Sequence, residues 1–69
     1  MKAEDLKKLS RQMITLRAKN DWSVEKASKM ANVSIQTWTY VERSLQGPNR
    51  CTEQKIRMLL ESEGITDEM

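Results

Sequence analysis

Apolar residues recur along this chain at spacings of three, four and seven, the period of helices that bury one face. Leu6, Leu9, Met13 and Leu16 form one such stripe between polar neighbours. They predict a first helix running from Ala3 or Glu4 to Lys19 and ended by Asn20-Asp21. Near the other end Ile56, Leu59 and Leu60 mark a second stripe. Thr52 stands before it as a capping residue with Glu53 in the first turn, so this helix is predicted to begin near Thr52. Gly64 is its expected stop, with Ile65 folding back behind it. No strand-like alternation of useful length, internal repeat or low-complexity run interrupts the pattern. The expectation is an all-α bundle of four to five short helices.

The stretch from Trp22 to Ser44 is the most informative part. Ser23 and Ser34, eleven residues apart, each open a short helical pattern by offering a side-chain oxygen to unpaired backbone amides, and Glu25 suits the positive end of the first helix. Between them Ala31-Asn32-Val33 supplies a turn, because asparagine tolerates the left-handed conformation that ends one helix and redirects the chain. This layout is a helix-turn-helix over residues 23–43. In its second helix Trp38, Val41 and Leu45 recur at i, i+3 and i+7, which predicts an inward-packed face. The opposite face is Ile35, Gln36, Thr39, Tyr40 and Arg43. Trp22 and Trp38 read as core, and Met13, Met30 and Met58 as gap-filling core or core-edge residues rather than ligands.

Composition narrows the function. Sixty-nine residues support one domain around one small core. A single cysteine, Cys51, and no histidine exclude an intramolecular disulfide and a cysteine-based metal cluster within one chain. With no nucleophile-base pair and no phosphate-cradling glycine loop, catalysis is not expected, nor is a cofactor or a small-molecule substrate. The opening MKAEDLKKLS lacks the apolar core of a secretory signal, and no run approaches the roughly 20 apolar residues of a membrane span. A cytoplasmic protein without membrane contact is the expectation. The net charge of +2 conceals an asymmetry: residues 1–57 hold all 12 lysines and arginines against six acids, a net +6. An acidic tail, residues 61–69, carries Glu61, Glu63, Asp67 and Glu68 without a cation. A basic body with an acidic end suits a polyanionic partner.

The pattern resembles the phage-repressor (Xre or Cro/repressor) type of helix-turn-helix. Trp22-Ser23-Val24, Asn32-Val33-Ser34, Trp38, Val41 and Glu42 occupy that family's motif positions, and the likeness extends over residues 6 to 65. Three positions depart from it: Val24 replaces a usual glutamine, Ala27-Ser28 a usual leucine-alanine, and Ser44 a frequent glycine. The resemblance implies a lambda-repressor-like fold with a central helix-turn-helix. It also implies a largely buried ion pair between Arg17, late in the first helix, and Glu42.

The function implied is that of a sequence-specific double-stranded DNA-binding regulator, a repressor of phages or mobile elements that blocks polymerase by occupying an operator. Its helix 34–43 would lie in the major groove. Ile35, Gln36, Thr39 and Tyr40 would then meet bases, glutamine having the donor and acceptor for adenine N6 and N7, and isoleucine a surface for a thymine methyl. Ser23, Arg43, Gln46, Asn49 and Arg50 would hold phosphates. Useful specificity generally takes a homodimer on two half-sites about 34 Å apart. Its contacts are expected from the Leu45-to-Cys51 loop, the end of the last helix and Ile65. Two other classes fit the composition: a helical protein-interaction module such as an antitoxin or inhibitor component, and an architectural or excision-type DNA-binding protein.

Overall fold

The helices expected from apolar spacing and capping residues are all present. A computed structural model describes residues 2–65 as four helices: α1 (Ala3–Asn20), α2 (Val24–Ala31), α3 (Ile35–Glu42) and α4 (Arg50–Ser62). The fold is all-helical, with no strand among the described residues. No helix there is long and apolar enough to cross a membrane.

Local chemistry accounts for most of the boundaries. α1 carries Glu4 and Asp5 in its first turn and Arg17 and Lys19 in its last, as its dipole favours. It ends where Asp21 turns left-handed at φ 54° and the Trp22 amide returns to the Arg17 carbonyl at 3.0 Å. Ser23 caps α2 by accepting from the Lys26 amide at 3.1 Å. Asn32, at φ 61°, ends that helix, and the Val33 amide returns to the Ser28 carbonyl. Ser34 then caps α3, accepting from the Thr37 amide at 3.1 Å. The turn between α2 and α3 is therefore three residues long, each with an assigned role.

The start of α4 differs from the expectation. Asn49, not Thr52, is the cap: its Oδ1 accepts from the Thr52 amide at 2.8 Å, and the helix begins at Arg50. Asparagine is the stronger capping residue, and Asn49, directly after Gly47-Pro48, has the extended backbone that a cap requires. At the other end Gly64 adopts φ 75° and the Ile65 amide bonds the Leu60 carbonyl at 2.8 Å, so Ile65 does fold back onto the core. Glu61 and Ser62 form the last turn of α4, so the acidic stretch starts inside a helix and is not a free tail from residue 61. Residues 66–69 of that stretch lie outside the described residues.

Leu9, Met13 and Leu16 of α1 meet Ala27 and Ala31 of α2, Trp38 and Val41 of α3, and Ile56, Leu59 and Leu60 of α4 in one core, with Trp22 partly buried against it. Small Ala27 and bulky Trp38 are both fully enclosed. Leu45, expected to pack inward, and Met30 and Met58, expected in the core or at its edge, are not in it. Leu45 is 68% exposed, because α3 stops at Glu42, three residues before it, and Ser44 turns left-handed at φ 59°. Met30 and Met58 also lie at the surface, Met58 at 69% exposure, on the flanks of α2 and α4 and not on their inner stripes. Met13 alone of the three is buried.

Two stability predictions follow from these termini. Asn49→Ala is expected to destabilise the fold by about 1 kcal/mol, the usual worth of a cap, and by more than Thr52→Ala does, in chemical denaturation. Ser44→Gly should stabilise by about 0.5–1 kcal/mol, since a non-glycine residue in the left-handed region carries a steric cost that glycine avoids.

Candidate nucleic-acid interface

An eight-residue helix holds its shape only if both ends are tied down. Ser34 secures the start of α3, through its backbone cap and a hydroxyl bond to Thr37 Oγ1 at 2.8 Å. The other end is secured by Glu42. Its carboxylate takes a two-pronged bond from α1, Arg17 Nε to Oε1 at 2.7 Å and Nη2 to Oε2 at 2.9 Å. The Trp38 indole donates to Oε1 at 3.0 Å, and Ser10 of α1 donates its hydroxyl to the Glu42 backbone carbonyl. Arg17 also reaches the Trp22 carbonyl at 3.5 Å.

The pair is only partly shielded: the Glu42 side chain is 11% exposed and that of Arg17 27%. The hydrogen bond to Glu42 raises the Arg17 pKa above its ordinary value; partial burial works against this and the Glu42 charge adds to it. A raised pKa on a cation contributes stability wherever the unfolded guanidinium is charged, and that contribution disappears only in extreme alkali. The charge that Arg17 brings to the pair is thus constant across ordinary pH.

With its inner side so occupied, α3 turns the other side to solvent. Ile35 is 50% exposed, Gln36 and Tyr40 are exposed, and Thr39 is half-buried. Gln36 Nε2 donates to the Tyr40 hydroxyl one turn along, at 2.8 Å. Beside this face runs a groove of about 300 Å³ between α3 and the loop to α4, lined by Thr37, Tyr40, Val41, Gln46, Gly47, Pro48, Asn49 and Thr52. Gln46 and Asn49 are thereby brought next to Tyr40.

The other expected phosphate contacts are placed differently. Arg43 is the exposed C-cap of α3, and its side chain makes no hydrogen bond or ion pair among the described residues. Arg50 is the exposed first residue of α4, not part of the loop, and it too has no such partner among them. A cation at a helix N-terminus opposes the dipole there, a cost that an anion bound alongside would offset. Ser23 and Asn49 are already engaged as caps through one acceptor site each, and both keep their donor hydrogens for a phosphate. By contrast, other cations are committed internally: Arg57 to Glu53 at 2.7 Å, Lys19 to the Glu63 carbonyl and Lys55 to the Asn32 carbonyl.

Sequence reasoning overlooked Thr37 and Ser10. Thr37 stands three residues from both Ser34 and Tyr40, a spacing that places it at the edge of the exposed face and in the groove. Ser10 lies seven residues before Arg17 on the same side of α1, so its burial against α3 was visible in the spacing once Arg17 had been assigned there.

Arg17→Ala leaves a largely covered carboxylate without its cation and is expected to cost about 1.5–3 kcal/mol. Thermal unfolding should register the loss while any base preference of the folded fraction stays as it was; a fully stable variant with altered preference would place Arg17 at the ligand instead.

Compared with protein-family models, curated proteins and solved structures, the chain matches none.

Proposed function

We propose that this protein is a sequence-specific double-stranded DNA-binding transcriptional regulator of the phage-repressor type, with α3 entering the major groove of an operator. The observation that carries the reading is the division of labour on α3. One side is held by the core and by Glu42, while the other presents an apolar residue at the helix entrance, an amide, two hydroxyls and a cation, with no structural duty beyond the Gln36–Tyr40 bond. Such a set matches what base edges in the major groove offer. Arg43 at its end and Arg50 beyond it have no ion-pair partner among the described residues, and the basic balance of residues 1–57 would supply the long-range attraction. Occupancy near a promoter would exclude polymerase. A homodimer would read two half-sites about one helical turn apart.

A second reading has an observation of its own. Exposed Met30 and Met58 border an open groove of about 420 Å³ between α2 and α4, which suits a helical protein-interaction module of the antitoxin or inhibitor kind. A complex insensitive to salt would favour that reading, because phosphate binding weakens steeply as salt rises.

Selection from a random duplex library at near-physiological salt tests the first reading. An enriched inverted repeat supports it, enriched direct repeats point to an architectural or excision-type DNA protein, and a folded protein that enriches nothing overturns it. On the enriched site, Gln36→Ala should cost about 1–3 kcal/mol and relax preference at one base position. Arg50→Ala should instead weaken all duplexes alike and lower the salt slope by about 1. Identical behaviour of the two variants would refute this assignment of roles.

A further inference from the structure

The hydrogen bond between Gln36 and Tyr40 constrains what Gln36 can read. A primary amide carries two N–H groups and one carbonyl oxygen. Nε2 spends one N–H on the Tyr40 hydroxyl oxygen at 2.8 Å, which decides the direction in which the amide plane faces. What remains for a ligand is Oε1 and the second N–H, and when Tyr40 takes the N–H anti to Oε1 these two form an acceptor next to a donor. Adenine complements that pair in the major groove, offering the N6 hydrogens and the N7 lone pair, whereas guanine offers two acceptors and sets O6 against Oε1. A glutamine without an anchor turns freely about its last torsion, which is broad and roughly twofold, and so can offer an N–H to guanine as well.

Tyr40 is fixed at its backbone and bordered by the loop to α4. It is 38% exposed, it borders the groove with Val41, Gln46 and Pro48, and its carbonyl accepts from the Leu45 amide at 2.9 Å. Its hydroxyl hydrogen stays available while its oxygen accepts from Gln36. No other hydrogen bond engages the Gln36 side chain among the described residues.

We propose that Tyr40 is a positioning residue for Gln36, its hydroxyl oxygen fixing the amide so that Gln36 discriminates adenine from guanine. This rests on the reading of α3 as the major-groove helix. Tyr40 then acts on base choice through its neighbour, in addition to any contact of its own.

The test uses the full chain as wild type, Y40F, Q36A and the double variant. Each is carried through duplex selection, then titrated on the enriched site and on the same site with adenine changed to guanine at the Gln36 position. Y40F removes one exposed oxygen and keeps the ring, so its unfolding temperature should match the wild type. Its adenine-over-guanine ratio is expected to fall roughly fivefold, about the worth of one hydrogen bond. In the Q36A background the same change should alter nothing, because the interaction is then already absent. An unchanged ratio in Y40F overturns the positioning role and leaves DNA recognition standing; so does an equal change with and without Gln36, which would make Tyr40 a direct reader. A wild type that enriches no site overturns both. NMR gives a readout without DNA: Y40F should shift the Gln36 side-chain amide signals and raise their mobility, and unaltered signals overturn the proposal.

Discussion

The carboxylate of Glu42 is the point on which the arrangement of this fold turns. It lies between a guanidinium from α1 and an indole from its own helix, and its backbone carbonyl is taken by Ser10. A planar guanidinium meets a carboxylate through two parallel bonds, which fixes orientation as well as distance. α1 has 18 residues and a long buried face, while α3 has eight residues and depends more on tertiary contacts. The pair transfers the rigidity of the first to the second. It works through partial burial: covered enough for the hydrogen bonds to count, open enough to limit the desolvation that makes buried pairs costly.

Because α3 is anchored from its inner side, its outer side is released from structural work. The polar side chains of the protein divide accordingly. Ser23, Ser34 and Asn49 close helix ends, and Lys19 and Lys55 close carbonyls elsewhere in the chain. Arg43 and Arg50, next to the outer face, are engaged by none of this. Arg50 stands against the α4 dipole, an arrangement that costs a few tenths of a kcal/mol in the free protein and is relieved by an anion. In the proposed complex that anion is phosphate. The loop between α3 and α4 lies beside the same surface, where Gln46, Pro48 and Asn49 line a groove with Tyr40.

Most structural features that depend on neighbours within a turn or two were readable in the chain. The caps Ser23 and Ser34, the left-handed Asn32, the Gly64 stop and the stripes of α1 and α4 are of this kind, because backbone amides and side-chain spacing obey the same rules in any sequence. The outer face of α3 was legible for the same reason: once Trp38 and Val41 point inward, Gln36, Tyr40 and Arg43 must point out. The misreadings have local causes too. Leu45 continues the apolar period, but period says nothing about where a helix stops, and a serine in the left-handed region stopped this one. Thr52 and Asn49 are both capping residues three apart, and the backbone conformation after Pro48 chose between them.

Other features are properties of the assembled bundle. Helical spacing gives the angle of Met30 and Met58 on their own helices but not which flank a neighbouring helix covers, and no helix covers these. Arg17 and Glu42 are 25 residues apart, and Ser10 and Glu42 are 32 apart, so their meeting rests on how α1 crosses α3. The groove beside Tyr40 likewise exists only because α4 returns next to α3. Backbone hydrogen bonding and side-chain period are local and can be read residue by residue; helix crossing, the sharing of a carboxylate and the depth of a groove are settled by close packing among all four helices at once.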